Sequence, residues 1–193
     1  MIEKEYKEIL DIQLYNRVDN LFSWTSITNQ INYYYMDKNK TLFLNNIHVR
    51  VRKTAEQCKL QIKYPCMDTV NSECGLHIRN EQEKKINRVP EIISGDDIYE
   101  ITHFKCKDAI KIGLLKTERK IYQPNEFIEI CLDKSCYENR TDFEIEVEYT
   151  CEDEDCELLE IKGVLSDIGI TFRKKAKGKF TRFFERYLEN SRE

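Results

Sequence analysis

Several segments of this chain alternate apolar and charged residues with period two, and within a segment the charges carry mostly one sign. Val49 and Val51 interleave with Arg50 and Arg52, and Leu60 and Ile62 with Lys59, Gln61 and Lys63. Ile128, Ile130 and Leu132 interleave with Glu129, Cys131 and Asp133, and Phe143, Ile145, Val147 and Tyr149 with Glu144, Glu146 and Glu148. Glu3, Glu5 and Lys7 share one face, as do His77, Arg79, Glu81 and Glu83. Adding residues 32–37 and 117–123 gives about eight strands. Successive strand side chains point to opposite faces, so each strand has an apolar and a charged side.

One such strand alone reads as part of an antiparallel sheet with one wet face, and Arg50 and Arg52 alone read as exposed partners of Glu144 and Glu146. The set reads differently. Like charges two residues apart on a strand repel, and an exposed face would favour mixed signs. Four stretches with helical spacing supply cover for the other face. They are Leu14, Val18, Leu21 and Phe22; Ile98, Ile101 and Ile110 within residues 96–111; Leu158, Ile161, Leu165 and Ile168, stopped by Gly169; and Phe180, Phe183, Phe184, Tyr187 and Leu188. A chain of 193 residues is the size of one domain, expected over 1–193. The expected fold is therefore α+β, an eight-stranded antiparallel barrel or tunnel with a charged interior and helices outside. Unpaired buried charge is costly, so the interior calls for paired signs, metal ions or an ionic ligand.

Net charge is −4, from 31 basic and 35 acidic residues, which argues against nucleic acid as the main partner. The longest uncharged stretch, residues 20–36, is rich in Asn, Ser, Thr and Gln and does not read as a membrane span. An acidic start, with Glu3, Glu5 and Glu8, does not read as a signal peptide, so a cytoplasmic location is expected. None of the eight cysteines forms a CxxC pair, and they read as reduced, small apolar residues. The sequence leaves monomer and homodimer equally open.

The acidic set Glu3, Glu5, Asp133, Glu144, Glu146 and Glu148 suits a hard cation, Mg²⁺ or Mn²⁺. The basic set includes Lys7, Arg50, Arg52, Lys59, Lys63, Arg79, Arg119, Lys179 and Arg182. Arg grips phosphate oxygens bidentately and Lys acts as a point charge, so a polyphosphate between the two sets would meet cations along its length. No GxxxxGK[ST] or GxGxxG loop is present, which leaves the phosphates to side chains.

The opening Glu3-Lys4-Glu5-Tyr6-Lys7 resembles the ExExK signature of the CYTH superfamily, the triphosphate tunnel metalloenzymes. NYYYMD at 32–37, VRVR at 49–52, LQIK at 60–63, LKTER at 115–119, CLDK at 131–134, FEIEVE at 143–148 and KGKFTRF at 177–183 continue the resemblance in order, closest to bacterial proteins of the Firmicute type. It implies a tunnel that hydrolyses or cyclises triphosphates with a divalent metal. By position, Glu3, Glu5, Asp133, Glu144, Glu146 and Glu148 would serve the metal. Lys7, Arg50, Arg52, Lys63, Arg119, Lys179 and Arg182 would hold phosphate, and Glu5, Glu146 and Lys7 would stand at the reacting centre. Glu81 and Glu83 fit the family's middle acidic pair, whereas Lys38 stands where the family has Thr. The expected function is a metal-dependent triphosphatase acting on a small-molecule triphosphate such as inorganic tripolyphosphate. The alternatives are a class IV-type adenylate cyclase and a non-catalytic polyphosphate- or nucleotide-binding module.

Overall fold

The computed structural model describes residues 2–66, 75–152 and 155–190. Nine strands form, β1 (Ile2–Leu10), β2 (Ser26–Asp37), β3 (His48–Lys53), β4 (Cys58–Pro65), β5 (Leu76–Lys85), β6 (Ile92–Ile93), β7 (Ala109–Tyr122), β8 (Ile128–Tyr137) and β9 (Arg140–Tyr149). Eight of them close in the order β2-β3-β4-β5-β1-β9-β8-β7, and β7 returns to β2. All pairings are antiparallel. The two-residue β6 pairs with the start of β7, before that strand meets β8, so it lies outside the closed ring.

The helices α1 (Ile12–Asp19), α2 (Thr41–Leu44), α3 (Gly95–Thr102), α4 (Cys156–Asp167) and α5 (Lys179–Asn190) pack on the barrel in two groups, and the start of α5 also meets the inward-facing Tyr34 and His48. Tyr15 and Val18 of α1 and Leu158, Ile161 and Leu165 of α4 bury the outer face of β1, β8 and β9, where Ile130, Leu132, Ile145 and Val147 are fully enclosed. Leu42 of α2, Ile98 of α3 and Phe180, Phe183 and Phe184 of α5 form a second core with Tyr35, Val49, Val51 and Ile62. Burying each such side chain contributes roughly 1.5–3 kcal/mol, so the apolar half of every strand is committed to the outside. The charged half has only the interior left.

Two helices are shorter than their periodicity predicts. Asn20 caps α1, its side chain donating to the Asn16 carbonyl, and Phe22 packs from the following loop on Trp24 and Tyr122 at 5.6 and 5.3 Å. α3 stops where His103 takes a left-handed φ of 55°, and the chain then runs extended, which puts Ile110 on β7 instead of a helix face. Gly169, at φ 99°, ends α4 as its position predicts. Gly113 (φ 156°) lies at the register shift between β2 and β7, where a Cβ would come within 2.8 Å of the Phe183 ring. α5 can therefore press directly on the sheet.

β2 and β7 are both longer than the alternation suggests. Their inward positions include Gln30, Asn32 and Thr117, all buried but uncharged, so the apolar–charged signal fades there. Arg50 pairs in register with Tyr34 and Gln61, and Arg52 with Asn32 and Lys59. Neither faces Glu144 or Glu146, because β3 and β9 are not neighbours in the barrel.

The turn into α2 forms without a Thr at 38. Asp37, 2% exposed, accepts from the backbone N–H groups of Asn39, Thr41 and Leu42 and from the Thr41 hydroxyl at 2.8–3.1 Å. Burial pushes its carboxyl up, but these bonds outweigh it and hold the carboxyl below its ordinary value. Asp37→Ala is expected to lower stability by about 2–3 kcal/mol at pH 7 in urea unfolding. A depressed native carboxyl stabilises above its unfolded value of 3.8, so the gap between variant and parent narrows as pH falls below that point.

Candidate functional site

The inward side chains of the barrel meet around one cavity of about 340 Å³. β1 contributes Glu3, Glu5 and Lys7, β3 His48, Arg50 and Arg52, and β4 Gln61 and Lys63. β5 contributes His77, Arg79 and Glu81, β7 Arg119, β8 Glu129, and β9 Glu146 and Glu148. Residues 176–181, running into the first turn of α5, close one side with Lys179 and Phe180. Phe180 packs on Tyr34 of the barrel wall at 5.1 Å and on the His48 ring at 4.5 Å.

Some register pairs of neighbouring strands join opposite signs, while Glu5 with Glu148 and Asp133 with Glu144 join like ones. Lys7 faces Glu146, Lys63 faces Glu81 and Arg119 faces Asp133. Lys7 lies 2.7 Å from Glu5 and 3.2 Å from Glu146, and Lys63 lies 2.5 Å from Glu3. Arg119 forks onto both oxygens of Asp133 at 2.9 and 2.7 Å and also donates to Glu146. At the rim, Lys59 pairs with the half-exposed Glu83.

The six carboxylates expected to serve metal separate into two groups of three, each with oxygens within 4.8 Å of one another. Glu3, Glu5 and Glu148 all border the cavity. Asp133, Glu144 and Glu146 form a buried group, of which Glu146 alone reaches the cavity wall. Each group holds raised and lowered carboxyls: burial raises Glu144 in the second, and in the first Lys7, helped by Lys63, outweighs burial to lower Glu5. Burial, which Arg119 offsets only in part, pushes Glu148 up to about 7, with Glu146 and Glu3 adding repulsion. Glu3 is also raised by burial, with Lys63 opposing and Glu5 and Glu81 adding to the rise. Glu146, although fully surrounded, is held well below the carboxylate range, because Lys179, Lys7 and Arg119 outweigh its burial.

Among the cavity's cations two lack a carboxylate partner among the described residues: Arg79, which bonds the His48 ring and the Asn46 carbonyl, and Arg52. The Arg52 Nε donates to Asn32 at 3.1 Å, and no carboxylate of the described residues lies within ion-pair distance of it. Burial, with repulsion from Arg50 and Arg119, pulls its guanidinium down to about 10. The Arg50 guanidinium is raised instead, because Glu81 at 3.7 Å outweighs its burial.

The structure thus brings Glu3, Glu5, Lys7, Arg50, Arg52, Lys63, Arg119, Glu146, Glu148 and Lys179 to one cavity. Asp133, Glu144 and Arg182 lie behind its wall. Arg182, expected to close the basic side, binds Glu144 and lies 2.7 Å from Asp142, tying α5 to β9. His48 and Gln61 also line the cavity, and the period-two spacing from Arg50 and Lys63 was the signal that places them there. Tyr33 and Tyr35 pack outward, whereas Tyr34 borders the cavity with a buried hydroxyl that has no partner among the described residues. The seven described cysteines are free thiols, and Cys74 lies outside the described residues. No helix among the described residues is long and apolar enough to cross a membrane.

A closed antiparallel barrel with a charged, ion-paired interior is an architecture that other proteins share. The CYTH domain profile matches residues 1–183, and the chain belongs to the CYTH family. A candidate adenylate cyclase from Bacillus halodurans is similar at TM-score 0.67 and 21% identity, over 93% of this chain and 96% of that one. A Hippeastrum protein described as a candidate adenylyl cyclase with a dominant triphosphatase activity is similar at TM-score 0.72 and 19% identity, over 95% of both chains. The mimivirus capping enzyme triphosphatase is similar at 0.52 and 10%, over 86% of this chain and 89% of that one. These likenesses show the shared fold. No curated protein matches the sequence.

Arg52→Met removes a half-buried cation that lacks an anionic partner. It is expected to raise the ligand-free Tm by about 3 °C in a thermal melt. It should also weaken tripolyphosphate binding in calorimetry about tenfold or more, a loss of at least ~1.4 kcal/mol.

Proposed function

We propose that this chain is a divalent-metal-dependent triphosphatase that cleaves inorganic tripolyphosphate or a related triphosphate inside the barrel. The observation that carries the reading is Arg52, a cation with no carboxylate of the described residues within ion-pair distance, lining the same cavity as three carboxylates able to hold a hard cation. A half-buried guanidinium beside two others is stabilised by an anion of several charges.

Glu3, Glu5 and Glu148 suit Mg²⁺ or Mn²⁺, which take carboxylate oxygen and leave positions for substrate phosphate. Burial is the largest cause of the raised carboxyls of Glu148 and Glu3, and a bound cation would favour their ionised forms. An ion bound there supplies positive charge to the phosphoryl oxygens as the bond breaks. Arg50, Arg52 and Lys63 from adjacent strands, with Arg119 opposite, grip the remaining phosphate oxygens. Lys7 bridges Glu5 and Glu146 and fixes both carboxylates against the cavity. Glu146, kept ionised by its cations, is the acceptor placed to orient an attacking water. Positioning and charge carry most of the catalysis of phosphoryl transfer, so no separate nucleophilic side chain is needed.

The triphosphatase activities named for the Hippeastrum and mimivirus proteins support the same reading. Incubation with Mg²⁺ or Mn²⁺ and tripolyphosphate, ATP or thiamine triphosphate tests it by product analysis. Orthophosphate from tripolyphosphate is expected, and Arg52→Met and Glu148→Gln should each lower kcat/KM at least a hundredfold. Cyclic AMP with pyrophosphate would instead make the chain a cyclase. Anion binding without turnover under either metal would make it a binding module.

A further inference from the structure

The two carboxylate groups are alike in spacing and differ in what already lies among them. In the Glu3, Glu5 and Glu148 group each carboxylate has its own flanking cation. Lys63 lies 2.5 Å from Glu3, Lys7 2.7 Å from Glu5 and Arg119 3.6 Å from Glu148. Each of these cations lies within ion-pair distance of one of the three carboxylates and not of the other two. In the other group a single ammonium reaches all three. Lys179 Nζ lies 2.8 Å from Asp133 and 2.9 Å from Glu146, and it also contacts Glu144.

The surrounding charge reinforces this. Asp133, Glu144 and Glu146 are also met by Arg119, Arg182 and Lys7. Lys7 and Arg119 are shared with Glu5 and Glu148, and Arg182 with Asp142, so Lys179 is the one of the four that contacts all three carboxylates. Lys179 is 8% exposed and sits in the first turn of α5, which the packing of Phe180, Phe183 and Phe184 anchors against the barrel. Its ammonium is thus delivered by the fold. Phosphoryl-transfer sites with two metals clamp the attacking and leaving oxygens between two cations about 3.5–4 Å apart. Lys179 borders the same cavity as Glu3, Glu5 and Glu148, on the side of Glu146.

We propose that Lys179 stands in for a second metal ion, so that the chain binds one divalent ion, at Glu3, Glu5 and Glu148, and uses a tethered ammonium in the second position. The catalytic half of this inference rests on the triphosphatase reading; the count of ions does not. A lysine ammonium is a point charge that stabilises oxygen anions without taking up ligands from water.

Mn²⁺ titration of the full chain without substrate, followed by the electron paramagnetic resonance of free Mn²⁺, tests the count apart from activity. The parent is expected to bind one Mn²⁺, Lys179→Arg one, and Lys179→Met two. In Lys179→Met the second ion should bind at least tenfold tighter than any second ion in the parent. Two ions of similar affinity in the parent, or one in a folded Lys179→Met, would overturn the proposal. Should Lys179→Met fail to fold, Glu148→Gln decides. Loss of all tight Mn²⁺ binding supports the proposal, and one ion still tightly bound contradicts it. A chain that binds one Mn²⁺ yet hydrolyses no triphosphate would defeat the triphosphatase reading and leave the ion count standing.

Discussion

Ionic side chains that face one another across the inside of a closed barrel must be compensated where they stand, and this fold is arranged around that requirement. Each strand sends its apolar residues outward under a helix and its ionic residues inward. Some register pairs join opposite signs, Lys7 with Glu146 and Arg119 with Asp133, while like-signed pairs such as Asp133 with Glu144 are compensated by cations from other elements. Replacing such a network with apolar residues would be at least as stable, so stability does not account for it. Its value lies in what it leaves over. Arg52 on one wall has no carboxylate partner among the described residues, and Glu148 on another is raised by burial that Arg119 offsets only in part.

That imbalance also divides labour between two carboxylate groups of similar shape. Asp133, Glu144 and Glu146 are met by cations from β1, β7 and α5, and they serve to hold those cations in place. Glu3, Glu5 and Glu148 face open cavity with separate partners at their edges. Arg182 belongs to the first arrangement, as a fastening between α5 and β9 that keeps Lys179 seated.

Much of this was legible in the sequence, and the parts that were not have common physical causes. β3, β4, β8 and β9 show in the alternation because their inward residues are charged or polar and their outward ones are large and apolar. β2 and β7 are only half visible, because Gln30, Asn32 and Thr117 face inward without charge. α2 is a single turn held by the carboxylate of Asp37, a bond that no periodicity records. For the site, parity along each strand found nearly every inward side chain. It cannot tell which carboxylates a distant cation will reach. Lys179 lies 35 residues from Glu144 in the chain, and only the docking of the α5 phenylalanines brings it there.

The central claim is that the uncompensated charges look into one enclosed space fitted to a polyanion. A crystal structure of the protein grown with tripolyphosphate tests it directly. The account predicts the phosphate chain inside the barrel, with oxygens on Arg52, Arg50 and Lys63. An anion bound only on the outer surface, with Arg52 turned to bulk solvent and the cavity filled by water alone, would contradict it.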